Sequence, residues 1–346
     1  MPIKRDIASE RVLDPSGDEE ESDAVELSLR PHRLGEFVGQ PRLVENLQIY
    51  VEAARKRGGA LDHVLLFGPP GLGKTTLAFI LAEEMGKQVT VAHAPAIEHK
   101  GQLAALLTKL EPGDLLFVDE IHRLSSVVEE NLYTAMEDYR IDMVQGDGPM
   151  ATAWTLNLEP FTLVGATTRT GLLTGPMLSR FGIDARLDYY TPESLATIVR
   201  RSASILDVTV TDDACWEIAR RARGTPRIAN RLLRRARDFA EVLSDGTLDA
   251  GTAREALERL EVDEAGLDEM NRRFLRVIIE TYGGGPVGIE ALAATLSEPR
   301  DTLEDVIEPF LLQHGFLART ARGRMATEKA YAHLGLTRQT PQGQLF

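Results

Sequence analysis

The alternation of apolar and polar positions along the 346-residue chain changes character twice. From Leu27 to about Tyr190, short apolar runs alternate with helical patterns: His63-Val64-Leu65-Leu66-Phe67, Gln88-Val89-Thr90-Val91, Leu115-Leu116-Phe117-Val118 and Phe161-Thr162-Leu163-Val164-Gly165. Such runs, separated by helices, predict buried parallel strands of an α/β layer fold. After Thr191-Pro192 the strand signal stops, and residues 192 to about 262 read as helices only. The clearest of these follows Gly224, with Thr225 as N-cap, Pro226 at the first helical position, and Ala229, Leu232, Leu233, Ala236, Ala240 and Leu243 at helical spacing. From about Asp263 the pattern predicts helices near 267–282, 288–297 and 300–313, then two strand-like pieces around Arg322-Gly323. Three helices and a small hairpin are the layout of a winged helix-turn-helix. The expected division is an acidic, disordered tail over 1–26, a large α/β domain over 27–190, a small helical domain over 191–262, a winged-helix domain over 263–337 and a tail over 338–346.

Composition narrows the classes. Hydrophobic residues make up 43% and charged residues 27%, which is ordinary for a folded chain and excludes a disordered or collagen-like one. With 39 Lys and Arg against 53 Asp and Glu, the formal charge is -14, so any contact with nucleic acid must be local. The first 26 residues hold nine acids against three bases. A lone Cys215 cannot form an internal disulfide, and the N-terminus lacks an apolar signal stretch, which together suggest a reducing, cytoplasmic setting. No apolar run reaches the length of a membrane-spanning helix.

The strongest chemical signal is Gly68-Pro69-Pro70-Gly71-Leu72-Gly73-Lys74-Thr75-Thr76, which follows an apolar strand and opens a helix read from Thr76 to Met85. Glycines such as Gly71 and Gly73 let backbone N–H groups close around a phosphate chain. The helix N-terminus adds partial positive charge, Lys74 reaches the β- and γ-phosphates, and Thr75 can ligate Mg²⁺. About 45 residues later an apolar strand ends in Asp119-Glu120. In an in-line phosphoryl transfer, Asp119 would hold Mg²⁺ through water and Glu120 would polarise the attacking water. The next strand ends in Gly165-Ala166-Thr167-Thr168-Arg169, where a hydroxyl could sense the γ-phosphate; either Thr167 or Thr168 can play that part. Ser179-Arg180-Phe181-Gly182 and Gly224-Thr225-Pro226-Arg227 each offer an arginine for the charge that spreads over a transferring phosphoryl group. His122 admits two readings, a relay beside Glu120 or a surface or core histidine. His93 and His99 lack partners at zinc-ligand spacing.

Taken together these residues resemble the AAA+ ATPases and, more closely, the bacterial RuvB family of Holliday-junction branch-migration motors. The resemblance runs from about Leu29 to Leu336, through Leu29-Arg30-Pro31, Gly39-Gln40, the phosphate loop, Asp119-Glu120-Ile121-His122-Arg123-Leu124, Met136-Glu137-Asp138-Tyr139, Arg180-Phe181-Gly182, Gly224 to Arg231 and Gly323-Arg324-Met325-Ala326-Thr327. It implies an AAA+ P-loop domain, a helical lid and a winged helix. It also implies a homohexameric ring that hydrolyses ATP with Mg²⁺, encircles duplex DNA and drives branch migration of Holliday junctions with the junction-binding protein RuvA. The setting would be recombination, repair and the SOS response, with a junction resolvase of the RuvC type as a further partner. By position, Leu29 and Arg30 look like adenine-side contacts, as do Tyr190 and the Glu137-Asp138-Tyr139 stretch. Thr167 or Thr168 looks like sensor 1, Arg180 like a finger donated to a neighbouring subunit, and Arg227 like sensor 2. Arg300, Arg319 and Arg324 are the DNA contacts it implies. The acidic N-terminal extension departs from the family's usual short start and raises the prospect of an added regulatory or solubilising role.

Two further stretches fit this reading. Asp142 to Leu158 forms two strand-like halves around Gly146-Asp147-Gly148 and reads as a protruding hairpin. Met143 and Trp154 on it are candidates for partner contact, where the family docks RuvA; the alternative is a strand pair packed on its own domain. Arg220 to Arg237 holds eight arginines in eighteen residues and no acid, suited to nucleotide sensing and subunit contacts or to a solvated helical face. The rival architectures are a clamp-loader subunit, disfavoured by the Arg319–Thr327 wing, and a protein unfoldase, disfavoured because His93 to Thr108 contains no aromatic residue for a pore loop. A DNA-binding regulator that uses ATP only as a switch would have no need of Glu120.

Overall fold

The computed structural model describes residues 26–145 and 152–338. The acidic stretch 1–25, residues 146–151 and residues 339–346 lie outside the described residues, and so do the expectations made for them. In chain order the strands of the first domain are β1 (Val64–Phe67), β2 (Val89–His93), β3 (Leu115–Asp119), β4 (Arg140–Gln145), β5 (Thr152–Asn157), β6 (Thr162–Thr167) and β7 (Ile183–Arg186). Five of them build one parallel sheet in the order β2-β3-β6-β1-β7, while β4 and β5 pair antiparallel as a separate hairpin. The four apolar runs are thus β1, β2, β3 and β6. The pattern did not reveal β7: Ile183-Asp184-Ala185-Arg186 alternates buried and exposed residues along the sheet edge, so it offers only two apolar positions.

Pairing places Phe67 opposite Thr167 and His93 opposite Asp119. The C-terminal ends of β1, β3 and β6 therefore finish along one edge of the sheet, the edge at which open parallel sheets bind ligands. The helix after the phosphate loop runs Lys74–Met85, starting two residues before the position the pattern suggested. It is apolar on most sides, with Leu77, Ala78, Ile80, Leu81 and Ala82 buried. One apolar cluster joins this helix and one sheet face to the lid, so Leu66 and Leu77 share a core with Leu232, Leu233 and Ala236. A second cluster covers the other sheet face and the hairpin base, including Leu116, Val118, Ile141 and Phe161.

The lid consists of helices Pro192–Ile205, Asp212–Arg221, Pro226–Leu243 and Ala250–Arg259. The side chains of Thr191, Thr211 and Asp249 cap the first, second and fourth of these by accepting from a backbone N–H. Thr225 departs from the expected side-chain cap. It occupies the N-cap backbone position, but its hydroxyl donates to the Arg223 carbonyl at 3.2 Å. Pro226 has no N–H to satisfy, and the Arg227 N–H donates across the cleft to the Gly71 carbonyl at 3.4 Å. The start of this lid helix is therefore fastened to the phosphate loop.

The third unit has its own core, in which Phe274, Leu292, Phe310, Leu311, Leu317 and Tyr331 pack together. Its first helix, Glu269–Arg276, continues through a π turn at Val277–Thr281; its second is Ile289–Leu296. The third is broken into Arg300–Thr302, a π turn Leu303–Ile307 and Glu308–Gln313. Pro309 accounts for the break, because it has no N–H for the Asp305 carbonyl and its ring crowds that carbonyl. Strands β8 (Leu317–Thr320) and β9 (Gly323–Ala326) form the wing, followed by a short helix, Glu328–His333, that the sequence pattern did not reveal. Among the described residues no helix is long and apolar enough to cross a membrane. Cys215 is buried in the lid.

Candidate functional site

The phosphate loop is built on backbone that a side chain would obstruct. Gly71 (φ 76°) and Gly73 (φ 101°) adopt left-handed conformations. A Cβ on Gly71 would meet Thr225 Cγ2 at 2.8 Å, and one on Gly73 would meet the Phe37 ring at 3.1 Å. Lys74 is only 8% exposed, and its ammonium donates to the carbonyls of Gly68 (2.8 Å) and Pro69 (2.9 Å). Burial lowers its pKa and Arg227 adds to this, while Glu120 and Asp119 oppose it. An ammonium held against the loop by two neutral carbonyls is well suited to a phosphate chain, whose charge would offset the cost of its burial.

Around this loop a single cleft gathers three groups of residues. Gly71, Gly73, Lys74, Thr75 and Thr76 form its floor, and Asp119, Glu120 and Thr168 face them from the strand ends. Leu29, Arg30, Tyr190 and Arg227 close it at the join of the first two domains. The Tyr190 hydroxyl donates to the Leu72 carbonyl at 2.9 Å, and burial raises its pKa. Arg227 pairs with Glu26 at 3.1 Å. The oxygens of Thr75 and Asp119 fit a nucleotide-bound Mg²⁺, which takes few protein ligands and fills its octahedron with water and phosphate oxygens. Ile198, Arg201 and Asn230 of the lid also line the cleft, although sequence reading passed them over. Their signal is weak: Arg201 sits at helical spacing from Ile198, as Asn230 does from Arg227.

The strand ends distinguish the two threonines left open by the sequence. Thr168 Oγ1 donates to Glu120 Oε2 at 3.2 Å and borders the cleft. Thr167 is fully buried; its hydroxyl lies 2.9 Å from His122 Nδ1 and accepts from the Arg169 N–H at 3.0 Å. His122 is half-buried, with its side chain 5% exposed and Nδ1 3.2 Å from Glu120 Oε2. Burial lowers its pKa against the pull of Glu120. Glu120 itself adopts φ 49°, a left-handed conformation rare for a residue with a side chain. Its backbone N–H donates to Asp119 Oδ1 at 3.0 Å, so the two acids are held as one unit.

Other expected residues lie elsewhere. Glu137, Asp138 and Tyr139 do not line their own chain's cleft. Tyr139 ends the helix Ser126–Asp138 in a left-handed cap, and its ring packs edge-on to Phe161 with centroids 6.0 Å apart, in the core beneath the hairpin. Arg180 is likewise outside the cleft. Phe181 is anchored in the core, while Arg180 donates to the Pro176 carbonyl (2.7 Å) and Glu137 (3.2 Å) and lies 4.4 Å from the Tyr133 ring centroid.

The hairpin presents a graded apolar face. Ile141 is buried at its base, Met143 is half-buried against the domain core, and Trp154, directly opposite Met143, is 45% exposed. Met143 is thus not a free projection, because it packs on its own domain; Trp154 is the exposed member.

On the winged helix, the Arg300 and Arg319 side chains are 53% and 59% exposed. Arg324 is held differently. Its side chain is 8% exposed and pairs with Glu308 Oε1 at 2.5 Å and Glu304 Oε1 at 2.8 Å. Burial opposes its charge, but Glu308 and Glu304 more than offset this and leave its pKa raised. Arg324→Ala would leave Glu308, 1% exposed, without its cation. Breaking a buried pair costs roughly 3–5 kcal/mol. A large drop in the unfolding midpoint of this variant is expected by denaturant titration, whereas Arg319→Ala should barely move it; equal midpoints would contradict the structural role.

Three family models match in order along the chain: the Holliday junction DNA helicase RuvB P-loop domain over residues 29–187, the RuvB AAA lid domain over 190–263 and the RuvB C-terminal winged helix domain over 264–335. The Thermotoga maritima RuvB Holliday junction branch migration motor is 51% identical, with a TM-score of 0.83, covering 90% of this chain and 99% of that one. The chain belongs to the RuvB family. Two mutants of the Thermotoga RuvB match as well, each 51% identical with a TM-score of 0.83 over 89% of this chain and 98% and 99% of theirs. RuvB membership accounts for the succession of P-loop ATPase domain, helical lid and winged helix, and it excludes the clamp-loader and unfoldase architectures.

Proposed function

We propose that this RuvB-family ATPase works as a homohexameric ring on duplex DNA, driving branch migration of Holliday junctions with a RuvA-like junction-binding protein. The observation that carries the reading is the convergence of Lys74, Asp119, Glu120 and Thr168 on one cleft. ATP occupies that cleft, with its adenine side at Leu29, Arg30 and Tyr190 and its phosphates over Gly71, Gly73, Lys74, Thr75 and Thr76. Thr75 and Asp119 would hold Mg²⁺, which would supply positive charge to the β- and γ-phosphates. Glu120 orients the attacking water, and Thr168, the hydroxyl that touches Glu120, is sensor 1. Arg227 reads the phosphates from the lid, and Arg180 completes the site of the next subunit, with Glu137 as its tether. The test is steady-state ATP turnover with and without duplex DNA, alongside electron microscopy of the protein with ATP and duplex. Rings and DNA-stimulated turnover support the reading, and a monomer without turnover contradicts it.

DNA contact falls to the wing. Residues 315–346 carry five bases and one acid, a local balance of +4 in a chain of -14. Arg300, Arg319 and the exposed Arg322 suit backbone phosphates, and a motor that moves along any sequence gains nothing from reading base edges. Arg319→Ala should weaken duplex binding equally on unrelated sequences and flatten the plot of log affinity against log salt by ~0.9 for one lost phosphate contact. An unchanged slope in titrations at several salt concentrations would remove Arg319 from the DNA face.

The RuvA-like protein docks on the β4–β5 hairpin through Trp154. Trp154→Ser should leave duplex-stimulated turnover intact while costing the partner interface ~2 kcal/mol or more, as exposed aromatic anchors do. Undiminished capture by the partner protein, with an unchanged circular dichroism spectrum, would refute the site.

A further inference from the structure

The winged helix touches the ATPase domain through a cluster of charges that no role assigned so far uses. Arg169, directly after Thr168, donates through Nε to Asp305 at 2.7 Å and through Nη2 to Asp301 at 3.4 Å, and the same nitrogen lies 3.7 Å from Glu304. Arg123, from the segment after Glu120, adds a 3.2 Å pair with Asp301. These carboxylates belong to the third helix of the winged domain, and Glu304 and Asp305 lie in its π turn, a local widening that often marks functional positions.

Glu304 is shared between the two functions. Its Oε2 lies 3.1 Å from Arg300 and 3.7 Å from Arg169, while its Oε1 lies 2.8 Å from Arg324 and 3.7 Å from Arg319. One carboxylate, 11% exposed, thus balances two solvent-facing arginines of the winged domain, Arg300 and Arg319, against an arginine adjoining the nucleotide cleft. From Arg169 the path to the cleft is short. Its N–H holds Thr167, and the preceding hydroxyl, Thr168 Oγ1, holds Glu120 Oε2.

We propose that Arg169 is a positioning residue through which duplex phosphate bound at Arg300 and Arg319 alters the setting of Glu120. Phosphate oxygens that engage Arg300 and Arg319 compete with Glu304 for both guanidinium groups. The charge of Glu304 is then less compensated on the wing side and draws more strongly on Arg169. The pull falls on the backbone next to Thr168, so the hydrogen bond that holds Glu120 changes without any direct contact between DNA and the cleft. The effect depends on differential contacts in the two states, as any coupling between separate sites must. It rests on the reading of the wing as the DNA face.

The experiment measures ATP kcat and KM with and without a fixed duplex, and duplex Kd separately, for Asp305→Asn, Arg169→Gln and the double variant. Each single variant is expected to lower the ratio of kcat with duplex to kcat without by about fivefold or more. KM for ATP and duplex Kd should stay within about twofold, and the double variant should lose little beyond either single, as partners in one contact do. The reversed pair, Arg169→Asp with Asp305→Arg, should recover part of the ratio, which a merely structural role would not produce. A wild-type ratio in both single variants with normal duplex Kd overturns the coupling. Additive losses overturn it as well, as does a ratio that falls only because duplex affinity falls. Failure of the DNA-face reading is seen independently, as unchanged duplex Kd in Arg319→Ala.

Discussion

Glu120→Gln is expected to bind ATP and assemble like the native protein but to turn ATP over about 10²–10⁴ times more slowly, the usual loss when a positioned acid–base group is removed. The amide keeps the shape of the side chain and can still meet Thr168 Oγ1, which lies 3.2 Å from the carboxylate. It loses the charge that orients water. Lys74→Ala should behave differently, weakening nucleotide binding and abolishing turnover together, because its ammonium acts on the phosphates in both the bound and the transition state. Equilibrium binding of a fluorescent ATP analogue beside steady-state turnover separates the two losses. Native turnover in Glu120→Gln would remove Glu120 from the chemistry.

Arg180→Ala should bind ATP almost normally and hydrolyse it roughly 10³-fold or more slowly, as other arginine fingers do. In the structure the side chain borders Glu137 and Tyr133 and takes no part in its own chain's cleft. Its Nε is buried without a hydrogen-bond partner among the described residues. Mixing decides the geometry. An Arg180→Ala subunit retains an intact phosphate loop, and a Lys74→Ala subunit retains an intact Arg180. Mixed rings of these two inactive proteins should therefore recover part of the turnover. No recovery in rings shown to contain both subunits would mean that Arg180 serves its own site.

The parts legible in the sequence are those whose signal is local. Buried strands such as Leu115–Asp119 are continuous apolar runs because both of their faces are covered, and the phosphate loop declares itself because its glycines, lysine and threonine must stand at fixed spacing. The edge strand Ile183–Arg186 was not legible, since one covered face leaves too few apolar residues to notice. The setting of Arg324 was not legible either. Its neighbourhood is basic in sequence, yet Glu304 and Glu308, sixteen or more residues earlier, meet it in space and bury it. The place of Tyr139 is hidden in the same way, because nothing local indicates that its ring turns into the core beside Phe161. The Arg169 cluster joins residues more than 130 positions apart, and no spacing rule reaches that far.

In the proposed function, ATP turnover at this cleft drives movement of DNA strands. The most direct measurement is dissociation of a synthetic four-way junction into duplex products, followed in time with ATP, Mg²⁺ and a RuvA-like protein, for the native chain and for Glu120→Gln. ATP-dependent products from the native chain, and none from Glu120→Gln despite normal assembly on the junction, are the predicted result. Products formed equally well by Glu120→Gln, or without ATP, would contradict the account.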